Sequence, residues 1–215
     1  MAKFTHSNFE PTAKLLHVSE DGKTVFLNNR GTVSISIAGV SVSIVSGDRE
    51  VDASHTRSVV TAPHGAKLLP YFIRGEEVRV VMVEQFRIAL CSSNLEAAGG
   101  EADEENVRAS MARELEEEAR ITVSSESIKL VYGAYIQPSM MASMAFGGIV
   151  RISEDELPKE LLGGEHQFGE FTVLSVRPLV PLLKARDAGD VTLDLETSRL
   201  LDAVAETVGL ITRHY

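Results

Sequence analysis

The sequence predicts an α+β or mixed α/β fold with a small antiparallel β segment at its N-terminal end. Three observations lead there. Apolar residues alternate with serines over 33–44, fuller apolar runs begin at Lys67, and a helical, acid-rich stretch near 105–119 is flanked by further strands, with two more helices closing the chain. A chain of 215 residues can hold one domain or a small domain plus a larger one, and the change of pattern places the division at 1–65 and 66–215.

In "TVSISIAGVSVSIV", Val33, Ile35 and Ile37 alternate with serines, and Val40, Val42 and Ile44 then do so on the opposite parity. A two-residue hairpin or a bulge at Ala38-Gly39 would bring both apolar sets to one face. "EDGKT" before this stretch and "SGDRE" after it are turn chemistry. Such a sheet is too small to be stable alone, so it is expected to pack across a homodimer. "KLLPYFI" and "VRVVMVEQF" read as strands joined by a turn at "RGEE", with Pro70 suggesting an edge position for the first. "IKLVYGAYI", "MAFGGIVRI" and "EFTVLSV" read as further strands. "LVPLLKARDAG" and "LDLETSRLLDAVAETVGL" read as helices, and Pro181 falls near the start of the first, where proline is tolerated.

Composition narrows the function classes. A net charge of −10 with no basic run argues against a nucleic-acid surface, because lysines and arginines must replace the phosphate counterions. No apolar run approaches the roughly 18 residues that span a bilayer. "MAKFTHSNFEP" lacks the apolar core of a signal peptide, and a single cysteine, Cys91, suits a reducing compartment. A cytoplasmic location is expected, with no membrane partner.

"GGEADEENVRASMARELEEEARI", residues 99–121, places Glu114, Glu116, Glu117 and Glu118 within one helical turn and a half. At about 100° per residue from Glu114, Val107, Met111 and Leu115 fall at about 20°, 60° and 100°, and Glu118 falls among them at about 40°. Glu117 lies at about 300°, while Glu116 points away at about 200°. Glu114 and Glu118 thus sit on the margin of the core-facing stripe. Burial there is unfavourable, the like charges four residues apart repel, and the C-terminal dipole opposes both. A hard divalent cation, Mg²⁺ or Mn²⁺, would reverse all three effects. The plainer reading is a solvated acidic face.

The spacing resembles the Nudix box: a glycine, five residues, Glu, seven residues, Arg-Glu, an aliphatic, any residue, Glu-Glu, any residue, Gly and an aliphatic. Gly99, Glu105, Arg113-Glu114, Leu115, Glu117-Glu118 and Ile121 match, and Arg120 replaces the glycine that ends the helix in a left-handed conformation. "VEQFRIAL" and "NLEAAGG" are similar to the entry into the box in the ADP-ribose pyrophosphatase and nucleotide-sugar hydrolase branch. The resemblance implies an α/β/α fold with a mixed sheet between helices, and a β-rich N-terminal segment mediating a homodimer. It implies cleavage of a nucleoside diphosphate linked to a sugar, with Mg²⁺ or Mn²⁺ as cofactor.

By position, Glu114 and Glu118 would be the principal metal ligands, joined by Glu117 and the carbonyl of Ala98. Arg113 would orient the glutamates. Arg87 would contact substrate phosphate or serve in a strand-end ion pair. Glu96 would support the metal site or pair with Arg87. The general base of similar enzymes is a glutamate on a late loop, for which "GGEHQFGEF" offers Glu165 and Glu170. Where the ADP-ribose branch carries Ser-Pro-Gly and then a glutamate, this chain has Gln137-Pro138-Ser139-Met140-Met141-Ala142-Ser143, without an acid. That departure leaves room for a second class, a non-catalytic Nudix-fold module that binds a nucleotide metabolite and regulates a partner.

Overall fold

The computed structural model describes residues 12–19, 24–27, 33–46, 49–61, 63–87, 92–135, 143–163, 165–168 and 172–211. Cys91, Gln137 to Ala142 and Glu170 lie outside them. The chain divides into two compact units, Met1–Pro63 with Tyr135–Ser143, and His64–Ala134 with Met144–Tyr215.

In the first unit β1 (Thr12–Ser19), β2 (Thr24–Leu27), β3 (Val33–Ser46) and β4 (Arg49–Thr61) form one antiparallel sheet. β3 is central, pairing with β1 and β2 on one side and β4 on the other. The turn or bulge expected at Ala38-Gly39 is absent. β3 runs through the change of parity, with Gly39 opposite Ser19 and Ser58, and its irregularities against β4 fall between Val42 and Val45. The reason is the length of β4, whose pairing keeps the ladder continuous where a two-residue turn would break it.

Among its described residues the second unit holds a mixed eight-stranded sheet and three α-helices, an α+β arrangement. β5 (His64–Arg74) and β6 (Glu77–Arg87) form a hairpin turning at Gly75, whose φ of 61° suits glycine. β7 (Ser92–Glu96) and β8 (Ala98–Ala102) follow, then α1 (Val107–Ala119), β9 (Lys129–Tyr135), β10 (Met144–Arg151), β11 (Glu165–Phe168), β12 (Thr172–Pro178), α2 (Leu179–Ala188) and α3 (Leu195–Thr207). The main order is β11-β12-β6-β5-β10-β9, and β5–β10 is a parallel pair.

Pro70 therefore does not mark an edge, since β5 lies inside the sheet. One side of β5 pairs with β10. The other pairs with β8 as far as Leu68 and with β6 from Tyr71. Pro70 stands where the partner changes, so a missing N–H coincides with a gap in that ladder.

Period-two alternation separates two cores. Leu68, Phe72, Val81 and Val83 pack with Met111, Leu115 and Ala119 of α1, while Leu69, Tyr71, Val80 and Met82 pack with Leu179 and Leu182 of α2 and with Leu200, Leu201 and Val204 of α3. Helices cover both faces, and fully burying one such leucine is worth roughly 1.5–3 kcal/mol. No described helix is long and apolar enough to cross a membrane.

Candidate functional site

α1 is held at both ends. Asp103 caps the short 3₁₀ turn Glu104–Asn106, and Asn106 Oδ1 accepts from the Ala109 N–H at 3.4 Å. At the other end Arg120 takes the left-handed conformation itself, φ 54° and ψ 34°, and its N–H donates to the Glu116 carbonyl at 3.0 Å. The helix ends where a glycine would end it, with a side-chain-bearing residue in the strained position.

The helix presents its acids as their angular positions require. Glu114 is buried, Glu118 is half-buried, and Glu116 and Glu117 are exposed. Gly100 makes room for Glu114, and the Gly99 backbone holds Glu118. A Cβ on Gly100 would lie 2.2 Å from a Glu114 carboxylate oxygen, and the Gly99 N–H donates to Glu118 Oε2 at 2.9 Å. Ala98, immediately before them, is buried in β8 opposite Leu68. Burial pushes the Glu114 carboxyl up, with Glu117 and Glu101 adding to the effect and Arg113 opposing it. Burial also pushes Glu118 up; the Gly99 N–H opposes this, and the nearby charge of Glu114 reinforces it.

Arg113 pairs with Glu114 at 2.5 Å and Glu117 at 3.3 Å, and donates to the Glu101 carbonyl at 3.2 Å. It draws Glu117 outward, so the structure brings together two of the three glutamates expected as ligands and leaves the third in an exposed pair. Among the described residues no group of three or more His, Cys, Asp or Glu side chains is placed to hold a metal ion by itself. The chemistry of Glu114 and Glu118 nevertheless fits a hard cation. Two carboxylates are withdrawn from water, repel each other, and have their lone pairs only partly occupied by N–H donors. Releasing the exposed Arg113–Glu117 pair costs little.

Beside this pair lies an ion cluster. Arg87 grips Glu96 with two hydrogen bonds, Nε to Oε1 at 2.6 Å and Nη2 to Oε2 at 2.5 Å. Lys67 Nζ reaches Glu96 at 2.7 Å and Asp194 at 2.9 Å, and Asn94 Nδ2 donates to Glu96 at 3.1 Å. Asp194 caps α3, accepting from the Thr197 N–H and hydroxyl, and the same hydroxyl accepts from the Ala97 N–H at 3.0 Å. Burial alone would raise the Glu96 carboxyl; the bonds from Arg87 and Lys67 hold it down to about 2. Of the two roles open to Glu96, the geometry gives it that of partner to Arg87.

Lys67, Asn94, Asp194 and Thr197 have no counterpart in the sequence reading. Asp194 was the legible one, as an N-cap three residues before Thr197. Lys67 had no local signal, because its partners lie 29 and 127 residues away.

Glu165 departs from expectation. It opens β11, an edge strand, where a loop was expected, and stands opposite Ser175. Register runs from Glu96 through Val83 and Leu174 to His166, so the Glu165 backbone is three strand spacings from Glu96, about 14 Å. It does not share an element with the α1 acids, and Glu170 lies outside the described residues.

No family model matches the chain, and no curated protein matches it.

Proposed function

We propose that the chain is a Mg²⁺- or Mn²⁺-dependent pyrophosphohydrolase of the Nudix type, cleaving a nucleoside diphosphate linked to a sugar into a nucleoside monophosphate and a sugar phosphate. One observation carries this reading: α1 withdraws Glu114 and Glu118 from water against the Gly99–Gly100 backbone, where Arg113 pairs with Glu114, and the charges of Arg87 and Lys67, both bound to Glu96, offset Glu118 only in part. A mixed sheet covered by α1 on one face and α2 and α3 on the other is consistent with the α/β/α arrangement of that family.

Glu114 and Glu118 would hold the cation, with Glu117 joining after leaving Arg113 and the Ala98 carbonyl nearby. When bound, the cation would offset the charge of the pyrophosphate and acidify the attacking water. Arg113 keeps Glu114 in place, and the Gly99 N–H fixes Glu118. Arg87 would neutralise a substrate phosphate oxygen. A carboxylate accepts the proton of the water, and Glu165 and Glu170 are the two candidates. The β-rich first unit would be the dimerisation part, and the chain would work in the cytoplasm without nucleic acid or membrane.

The test is a panel of ADP-ribose, nucleotide sugars, dinucleoside polyphosphates and nucleoside triphosphates, incubated with Mg²⁺ or Mn²⁺ and assayed for the phosphate that a coupling phosphatase releases from the monophosphate products. Turnover of a sugar-linked diphosphate is expected, and no turnover of any diphosphate rules the activity out. A non-catalytic nucleotide-binding module is the second reading. The outward position of Glu117 and the edge-strand position of Glu165 favour it. Calorimetric binding without hydrolysis over hours, metal present, would select it.

A further inference from the structure

Glu96 receives more positive charge than a single ion pair needs. Its side chain is 6% exposed, and both Arg87 and Lys67 contact it, with Asn94 as an additional donor. The two cations differ in freedom. The Arg87 side chain is 44% exposed, whereas that of Lys67 is 15% exposed. Lys67 is also tied from behind by Asp194, and its stem crosses Gly99, where an added Cβ would lie 2.8 Å from Lys67 Cγ. Glycine at that position clears the path of the lysine. Arg87, bound to Glu96, also lies close enough to Glu118 for their charges to act on each other.

The geometry points to Lys67 as a positioning residue that lets Arg87 leave Glu96 for an anionic phosphate group. A buried carboxylate with one cation holds it tightly, because departure strands an uncompensated charge. With Lys67 and Asn94 remaining in place, Glu96 stays satisfied when Arg87 swings away. The cluster thus works as an exchange: the fixed cation keeps the carboxylate, and the exposed cation is free to be shared. This inference rests on the diphosphate reading above and adds to it the residue that makes Arg87 available.

Titration calorimetry with Mg²⁺ and ADP, and separately with Mg²⁺ and inorganic pyrophosphate, tests it on the full chain. Lys67→Met should weaken binding of both at least about tenfold, because Arg87 becomes the sole cation on Glu96. Lys67→Met combined with Glu96→Gln should restore binding to within about threefold of the unmodified chain, since no carboxylate is left to trap the arginine. A merely structural lysine predicts otherwise: a lowered melting temperature and no restoration in the double variant. Unchanged binding in Lys67→Met, or failure of the double variant to recover, overturns the exchange while leaving the diphosphate reading standing. Should Lys67→Met not fold, Glu96→Gln alone decides, with binding at least as tight as in the unmodified chain expected and weakened binding overturning the proposal. If the unmodified chain binds neither probe, the exchange falls, and turnover of the substrate panel decides the reading beneath it.

Discussion

At the scale of single residues, Glu114, Glu116, Glu117 and Glu118 share one chemistry but differ in burial. Glu118→Gln removes a half-buried carboxylate and its repulsion with Glu114. Turnover is expected to fall by orders of magnitude, while the metal-free protein holds its stability or gains a few tenths of a kcal/mol. Glu116→Gln, on the exposed face, should leave turnover nearly intact. If the two variants behave alike, the acids are a surface feature. Proton linkage gives a second check. Glu118 has its folded carboxyl raised, so the folded state holds the extra proton and stability declines as pH rises through the window above the ordinary value of 4.5. Thermal melting against pH in chelator should therefore show the Glu118→Gln advantage growing above that value. Glu96 has the opposite sign: its contribution is present above 4.5 and disappears as pH falls towards about 2. Glu96→Gln should flatten the acid limb of the melting curve.

At the scale of elements, β8 and α1 meet through Gly99 and Gly100, and the two glycines fail differently. An alanine Cβ at Gly99 would lie 2.3 Å from the Ala66 carbonyl oxygen, a backbone atom that cannot step aside. Gly99→Ala is expected to destabilise by about 1–3 kcal/mol, as overpacking does. At Gly100 the clash is with the tip of a flexible glutamate, so Gly100→Ala should keep most of its stability and lose activity through displacement of Glu114. Denaturant unfolding and turnover, measured on both variants, separate the cases. These elements also mark what was readable in advance. α1, β5, β6, β9, β10, β12 and the last two helices follow from apolar periodicity, and the margin position of Glu114 and Glu118 follows from angles alone. β7 and β8 were missed because "SSNLE" and "AGGEA" carry little apolar alternation; pairing with β6 and β5 makes them strands. The role of Lys67 was illegible for a related reason, since only the completed sheet brings it to Glu96 and Asp194.

At the scale of the whole molecule, the division into two units poses the question of assembly. The first unit is a four-stranded antiparallel sheet, the part to which the proposal assigns dimerisation. Light scattering at micromolar concentration is expected to give the mass of a dimer; a monomer refutes the role proposed for the first unit. The second unit has a consequence for how the chain is made. Its central hairpin, β5 and β6, is complete by Arg87, but the strands flanking it come from the last third of the sequence, β10 from Met144 and β12 up to Pro178. During synthesis the hairpin is therefore born with both long edges open. The residue that completes the second flank follows roughly 5–20 s after Arg87 at ordinary rates of translation. Open edges template association between nascent chains. Ribosome-bound fragments ending before β10 are therefore expected to associate more readily than the finished chain, which sedimentation of stalled fragments checks.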